Sequence, residues 1–403
     1  MSEGVAARAL AATLIARIVD EGAHSNVLLA DAGGPEQRNV HRLVQQTLRL
    51  LPPVDATIQQ LSSRPLDEVQ PVVRAALRVG VMELMTGGDA HGVVNSTVEG
   101  VKQGAVPQAA GFVNAILRKV AGGFQPRSTD AGQAAAWAVA APRWLRDRLI
   151  ASWGMSEADE FLQATLEVPQ IGVRIRPGSS AIGTPIAGIP GAAHVAERSA
   201  VVAAGAAVVV MDGASVAVAN AVGARPGERV LDVAAAPGNK TAALWDTMEG
   251  EGVLVAADSR ARRTRNAARR MKALGVGALW VIADGRRPPF PEGGFDRILL
   301  DAPCTGLGTV RRRPEIKSRL DPGDPVRMAE LQRALVAASL PLLRPGGCLV
   351  YSVCTVFPEE TIDIAREFGG RPPPNLPGRT WGDGMLLGPH LTDTDGMYIT
   401  LFG

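Results

Sequence analysis

"RVLDVAAAPGNKT", residues 229–241, opens on a short apolar run, turns through Gly238 and continues into a stretch with helical spacing. The run Arg229–Val233 reads as a buried strand, and the residues from Lys240 to Glu249 as a helix. The alternation recurs. Strands are expected at 229–233, 253–258, 278–284, 296–301 and 348–354, with helices at 240–249, 260–274 and 326–343. Short apolar strands joined by helices imply a parallel sheet covered on both faces, an α/β fold. Ligands of such sheets sit beyond the carboxyl ends of the strands. Here those ends fall at or just before Asp232, Asp258, Asp284, Asp301 and Cys354, so one edge collects five polar termini.

Gly238 lets the backbone approach a ligand closely, and the helix after it offers free N–H groups to an anionic group. The spacing GxxxxGK[ST] is absent, which argues against a nucleoside triphosphate, and GxGxxG is absent too. Asp258 closes the second strand some twenty residues on, where an acid takes ribose hydroxyls in folds of this kind. A nucleoside cofactor without a phosphate-binding loop points to S-adenosylmethionine. On these features alone, a purely structural strand–turn–helix competes with that reading.

Two further stretches carry chemistry. "DAPCTGLG" (301–308) and "VYSVCT" (350–355) place two of the chain's three cysteines, Cys304 and Cys354, at the ends of neighbouring strands. Cys348 lies inside a strand and reads as core. Three cysteines without pairing or metal-ligand spacing argue against a disulfide framework or a metal site. His91 and His194 have no partners at motif spacing, and surface or core roles are expected for them.

At 403 residues, 46% of them apolar and 20% charged, the chain reads as a soluble protein of two or three domains. No run of about 18 apolar residues suggests a membrane span. The first stretch, "MSEGVAARALAATLIARIVDEG", reads as an amphipathic helix and not a signal peptide. The sparse, unpaired cysteines make the cytoplasm the expected compartment, and a monomer is the expected state. The net charge of +2 is unevenly spread. Residues 258–319 carry fifteen Lys and Arg against six Asp and Glu, including "RARRTRNAARRMK" (260–272) and "RRRPEIKSR" (311–319). Residues 1–124 balance eleven against eleven. The basic block is read as meeting a polyanion; a solvated helix face is the plainer alternative.

Residues 5–124 read as wholly helical, with Gly122-Gly123 marking a helix end, and residues 125–170 as a linker with helical pieces. From 171 "IGVRIRP" alternates like a strand, and a small β-containing insert is expected up to about 210. The resulting division is 1–124, 125–215 and 216–403.

With these pieces in order, the chain resembles the bacterial RNA cytosine-C5 methyltransferases of the RsmB/Sun type. "LDVAAAPGNKT" resembles the family's LDxCAAPGGKT cofactor loop, and "ADGRRPP" (283–289) its third motif. "DAPCTGLGTVRRRPEIK" is similar to DAPCSGxGxxRRxPxxK, "LLRPGGCLVYSVCTVFPEE" to LLKPGGxLVYSTCS, and "DTDGMYITLF" to the family's final strand. "MDGASVAVA" (211–219) resembles the QDxAS element, with Met211 in place of Gln. "HGVVNSTVEGVKQ" and "GFVNAILRKV" resemble segments of an RNA-binding NusB-like domain. Ala234 replaces a usual Cys, Asn239 the loop's second Gly, and Val353 a Thr, while Thr361 stands where Asn often follows the paired acids.

The resemblance implies a Rossmann-like S-adenosylmethionine-dependent methyltransferase sheet. An all-α NusB-like domain and a small α+β RNA-contacting subdomain would precede it. Cys354 would be the nucleophile toward C6 of cytosine, Cys304 would assist product release, and Asp301 would lie against the ring and cofactor. Ala234, Ala235, Ala236, Pro237, Gly238, Asn239, Lys240, Asp258, Asp284 and Asp301 would form the cofactor site, Lys240 as an organiser. The implied partner is 16S rRNA, with tRNA as the alternative. A non-catalytic RNA-binding protein with a degenerate methyltransferase domain is the alternative of another class.

Overall fold

The computed structural model describes residues 3–31 and 36–403. Met1 and Ser2, the start of the first expected helix, lie outside the described residues. Two compact units are present: Met1–Glu167 with Val310–Leu320, and Val168–Thr309 with Asp321–Gly403.

The first unit is helical. Its longer helices through residue 121, among the described residues, are Glu3–Val19, Gln37–Arg49, Leu51–Leu61, Pro71–Met85, Ala90–Lys102 and Ala110–Ala121. Each buries the residues that recur at helical spacing: Ala11, Ile15 and Ile18 on the first, Leu43, Val44 and Leu48 on the next, Val113 and Leu117 on the last. Full burial of the Val, Leu and Ile side chains among them contributes about 1.5–3 kcal/mol each. Pro71 opens its helix, where its missing N–H costs nothing, and Asp89 caps the next by accepting from Gly92 N at 2.7 Å. The last helix stops at Gly122, and Gly123 takes φ +92°.

This unit is discontinuous in sequence, because Val310–Leu320 packs within it. Ser25 Oγ donates to Glu315 at 2.7 Å, and Arg49 Nη2 donates to the Arg311 carbonyl at 2.8 Å. Lys317 Nζ donates to the Arg49 carbonyl at 3.3 Å, at the carboxyl end of Gln37–Arg49. The run 311–319 is thus not the free cationic face that its composition suggests. Arg311 and Lys317 are 5% and 1% exposed.

Burial, with Arg49 adding repulsion, pushes the Lys317 ammonium down from 10.5 to about 7. An amine lowered in the folded chain takes up a proton on unfolding. Its cost is full below the folded value and fades as pH rises through the unfolded one. Lys317→Met should therefore stabilise the protein by a few kcal/mol, on the order of 3–5, at about pH 7 and by much less at about pH 9.5. Thermal melts at the two pH values check this, and an equal gain at both would contradict it.

The second unit contains two sheets. The smaller is antiparallel, built from β1 (Ile171–Ile175), β2 (Thr184–Pro185), β3 (Ala192–Val195) and β4 (Val208–Val210) in the order β2-β3-β1-β4. The larger contains β5 (Arg229–Asp232), β6 (Val253–Asp258), β7 (Leu279–Ile282), β8 (Phe295–Asp301), β9 (Leu343–Val353), β10 (Arg379–Trp381), β11 (Gly384–Leu387) and β12 (Met397–Phe402). Their order is β10-β11-β12-β9-β8-β5-β6-β7. The run from β7 to β9 is parallel, and β12, β11 and β10 are added antiparallel.

β6 and β8 bury nearly every residue, as strands covered on both faces do, while β7 at the edge stays partly exposed. Helices Asn239–Thr247, Ala261–Ala273 and Asp324–Ser339 connect them. β9 begins at Leu343, five residues before the expected start, because Leu343 pairs with Phe295 ahead of a register shift, and "RPGG" (344–347) falls between that pair and Arg297 with Cys348. The β10–β11 hairpin escapes a reading by apolar runs, since its strands have three and four residues.

Candidate active site

β5, β6 and β8 end at Asp232, Asp258 and Asp301, and β9 ends one residue before Cys354. β7 stops at Ile282, two residues short of Asp284. A cleft of about 620 Å³ lies at this edge, lined in part by Ala234, Ala236, Asp258, Asp284, Asp301 and Met328. That volume is typical of a small-molecule site.

The loop after β5 forms one wall. Gly238 takes φ +100°, and a Cβ there would meet Met271 at 2.9 Å, so only glycine fits. Asn239 does not need the left-handed backbone that its replacement of glycine suggests. It is the first residue of the helix Asn239–Thr247, and its side chain donates to the Val210 carbonyl at 3.2 Å. Asp232 is 1% exposed beneath the loop and accepts from Thr241 Oγ1 at 2.7 Å. Burial pushes its carboxyl up to about 7 against that hydrogen bond. Of the other residues expected at the cofactor, Ala235 and Gly238 are buried and Pro237 is exposed.

Asp258 is 5% exposed at the end of β6, and one oxygen accepts from the Arg260 N–H at 2.9 Å. Arg263 donates to the Ala236 carbonyl and lies 3.8 Å from Asp258, tying the first two strand ends together. Asp284 is half-exposed, and the Arg286 guanidinium and N–H hold its carboxyl at about 2. These acids with the glycine cradle fit a ribose and its aliphatic substituent. Sequence reasoning missed the two arginines, which belong to a basic run whose composition signals charge but no particular contact.

On the other wall, Lys240 Nζ donates to Asp301 Oδ2 at 2.6 Å and reaches Ser215 Oγ at 3.4 Å. Ser352 Oγ donates to Asp301 Oδ1 at 2.9 Å. Asp301 therefore accepts on both oxygens. Burial alone would lower Lys240; the Asp301 carboxylate outweighs it and holds the ammonium above its ordinary value. Ser352, two residues before Cys354, was missed because a hydroxyl inside a strand reads as a core polar residue.

The cysteines meet because β8 and β9 are parallel neighbours with Asp301 opposite Ser352. Cys304 Sγ lies 3.3 Å from Cys354 Sγ. Backbone bonds lock the two loops: Ala302 N to the Ser352 carbonyl at 2.8 Å, and Gly308 N to the Cys354 carbonyl at 3.0 Å. Gly308 also crosses Gly396, where a Cβ would come within 2.0 Å of the Gly396 carbonyl oxygen. The hydrogen bond with Cys354, then burial, then the charges of Cys354, Glu360 and Asp301 push the Cys304 thiol well above its ordinary value. Cys348 is 6% exposed within β9.

The basic helix Ala261–Ala273 buries Thr264, Ala267 and Met271 and exposes Arg262, Arg263, Arg265, Arg269, Arg270 and Lys272. No helix is long and apolar enough to cross a membrane among the described residues.

The family model described as 16S rRNA methyltransferase RsmB/F matches residues 219–402, and the NusB family model matches residues 5–122. Ribosomal RNA small subunit methyltransferase B of Thermus thermophilus is 35% identical over 373 residues, 91% of this chain and 88% of that one. Its namesake from Cronobacter sakazakii is 30% identical, over 96% of this chain and 98% of that one. The crystal structure of PH0851 shares the fold, with a TM-score of 0.81 at 22% identity over 98% of both chains. That of NSun6 from Pyrococcus horikoshii with SFG has a TM-score of 0.54 at 20% identity, over 64% of this chain and 97% of that one.

Fold and site together define a Rossmann-like, S-adenosylmethionine-dependent RNA methyltransferase. Within that class, the chain belongs to the RsmB/F family and carries a NusB-like helical domain.

Proposed function

We propose that this protein methylates C5 of a cytosine in 16S rRNA, in the cytoplasm and as a monomer, through a covalent bond between Cys354 and C6. The observation that carries the proposal is the 3.3 Å approach of Cys304 and Cys354 beside the Lys240–Asp301 pair. Cytosine C5 is a poor nucleophile until a thiolate adds at C6. Covalent catalysis of this kind divides one hard step into easier ones.

Cys304 keeps its proton and stays hydrogen-bonded to Cys354, while Cys354, near the Lys240 ammonium, releases its own proton to solvent and attacks as the thiolate. Its sulphur bonds to C6, and the ring electrons move to C5. The cofactor, when bound, supplies an electrophilic methyl group for C5. Once Cys354 is a neutral thioether, the hydrogen bond and charge that held the Cys304 proton are gone, so that proton passes to solvent. The Cys304 thiolate then removes the C5 proton, the C5–C6 double bond re-forms, and Cys354 departs as thiolate. Lys240 and Ser352 orient Asp301 toward the ring.

The division of labour follows the sequence segments. Residues 216–403 perform the chemistry, 1–124 bind RNA and 125–215 contact it. The exposed arginines of Ala261–Ala273 supply phosphate contacts.

The test supplies labelled S-adenosylmethionine with deproteinised 16S rRNA, assembled small subunits or tRNA, and maps products by bisulfite sequencing. The expected result is 5-methylcytidine at a single position of deproteinised 16S rRNA, with less in assembled subunits because the site needs a large footprint. Methylation of tRNA alone, or of a position other than C5, would refute the assignment.

A further inference from the structure

Glu360 is fully buried, yet its carboxylate is hydrogen-bonded to neutral donors rather than to a cation. Oε2 accepts from the Thr305 N–H at 2.9 Å and from Gln332 Nε2 at 2.9 Å. Oε1 accepts from the hydroxyl of Thr355 at 3.1 Å and from that of Thr305. Thr305 follows Cys304 and Thr355 follows Cys354, and their hydroxyls lie 2.7 Å apart. Gln332 Nε2 also donates to the carbonyl of Pro303, at 2.9 Å, on the other side of Cys304. Tyr351 OH fixes the Glu360 backbone through its carbonyl at 2.8 Å.

Burying a carboxylate costs several kcal/mol that an apolar side chain of equal volume would not. Here the donor set offsets that cost: both carboxylate oxygens have two donors each, and a carboxylate held from four directions specifies a single geometry. What this network specifies is the separation of two loops, each carrying one cysteine. We propose that Glu360 is a positioning residue, a clamp that holds Cys304 and Cys354 at reacting distance through Thr305 and Thr355. The idea deepens the covalent mechanism and rests on it, since the clamp matters for catalysis only if the two sulphurs act on one adduct. Glu360 itself contacts neither sulphur, and its oxygens are occupied.

The variants separate clamp from charge. In Glu360→Gln the amide oxygen can accept from the Thr305 N–H and Gln332, while the amide nitrogen donates to two hydroxyls that turn to receive it. Glu360→Ala removes every leg, and Thr355→Val removes one.

The primary readout does not depend on methyl transfer. In full-length protein with Cys348→Ala, diamide takes two electrons and two protons from the thiol pair, and the rate of Cys304–Cys354 disulfide formation is measured. The Gln variant should stay within a few-fold of the parent. The Ala variant should be about a hundredfold slower, as about 1 Å of misplacement implies, and Thr355→Val intermediate. Turnover should follow the same order, with kcat lowered and KM for S-adenosylmethionine unchanged, because Glu360 does not line the cleft.

A parent rate in folded Glu360→Ala would overturn the clamp, as would a Gln variant as slow as Ala. If Glu360→Ala does not fold, a parent rate in Thr355→Val overturns it instead. Clamp-dependent disulfide formation in a protein that forms no RNA adduct would keep the clamp and reject the covalent mechanism.

Discussion

Cys354→Ala should lose methyl transfer by about 10⁴-fold or more, the scale seen when an enzyme loses its nucleophile. Alanine offers no sulphur to C6, so C5 stays unactivated and no later step can compensate. The loss should fall on kcat alone. Cys354 is not among the residues lining the cofactor cleft, so S-adenosylmethionine should bind with unchanged affinity by calorimetry. RNA binding should also persist, because the exposed basic residues of Ala261–Ala273 are untouched. Turnover within tenfold of the parent would remove Cys354 from the mechanism.

Cys304→Ala should separate the two halves of the reaction. Attack on C6 and methylation need only Cys354 and the cofactor, so one methyl group per enzyme should still transfer. Removal of the C5 proton needs a base at the position of Cys304, and general-base loss typically costs about 10²–10⁴-fold. Rapid-quench measurement should therefore give a burst of about one equivalent followed by almost no turnover. A steady linear time course at the parent rate would contradict this role. So would the absence of any burst, which would place Cys304 before methylation rather than after it.

Much of the fold could be read because its signals are local. The expected strand at 253–258 is β6 itself, and those at 229–233 and 296–301 differ from β5 and β8 by one residue. Buried parallel strands are continuous apolar runs bounded by turns, and each ends where a polar side chain is wanted. Pairing is not local, and the less legible features depend on it. The bulge that extends β9 and the short β10–β11 hairpin depend on neighbouring strands.

The site divides the same way. Cys304, Cys354 and Asp301 stand out at strand ends, but their distances follow from the register of β8 on β9. The backbone role expected of Asn239 belongs to Gly238, because the helix starts one residue earlier than anticipated. Charge composition misled at 311–319. Alternation of charge and Pro does not reveal that Arg311 and Lys317 are buried within the helical unit. Glu360 was visible in "VFPEE" only as one of two exposed-looking acids. Its donors come from residues 28 and 55 positions away as well as from Thr355 nearby.

The covalent bond is the central claim, and denaturing electrophoresis of protein, 16S rRNA and S-adenosylmethionine tests it most directly. A slow-migrating protein–RNA band that resists denaturant should accumulate with Cys304→Ala. It should be absent with Cys354→Ala and with the double variant. A stable band from Cys354→Ala would make Cys304 the nucleophile, and no band from any variant, with turnover intact in both single variants, would contradict the covalent account.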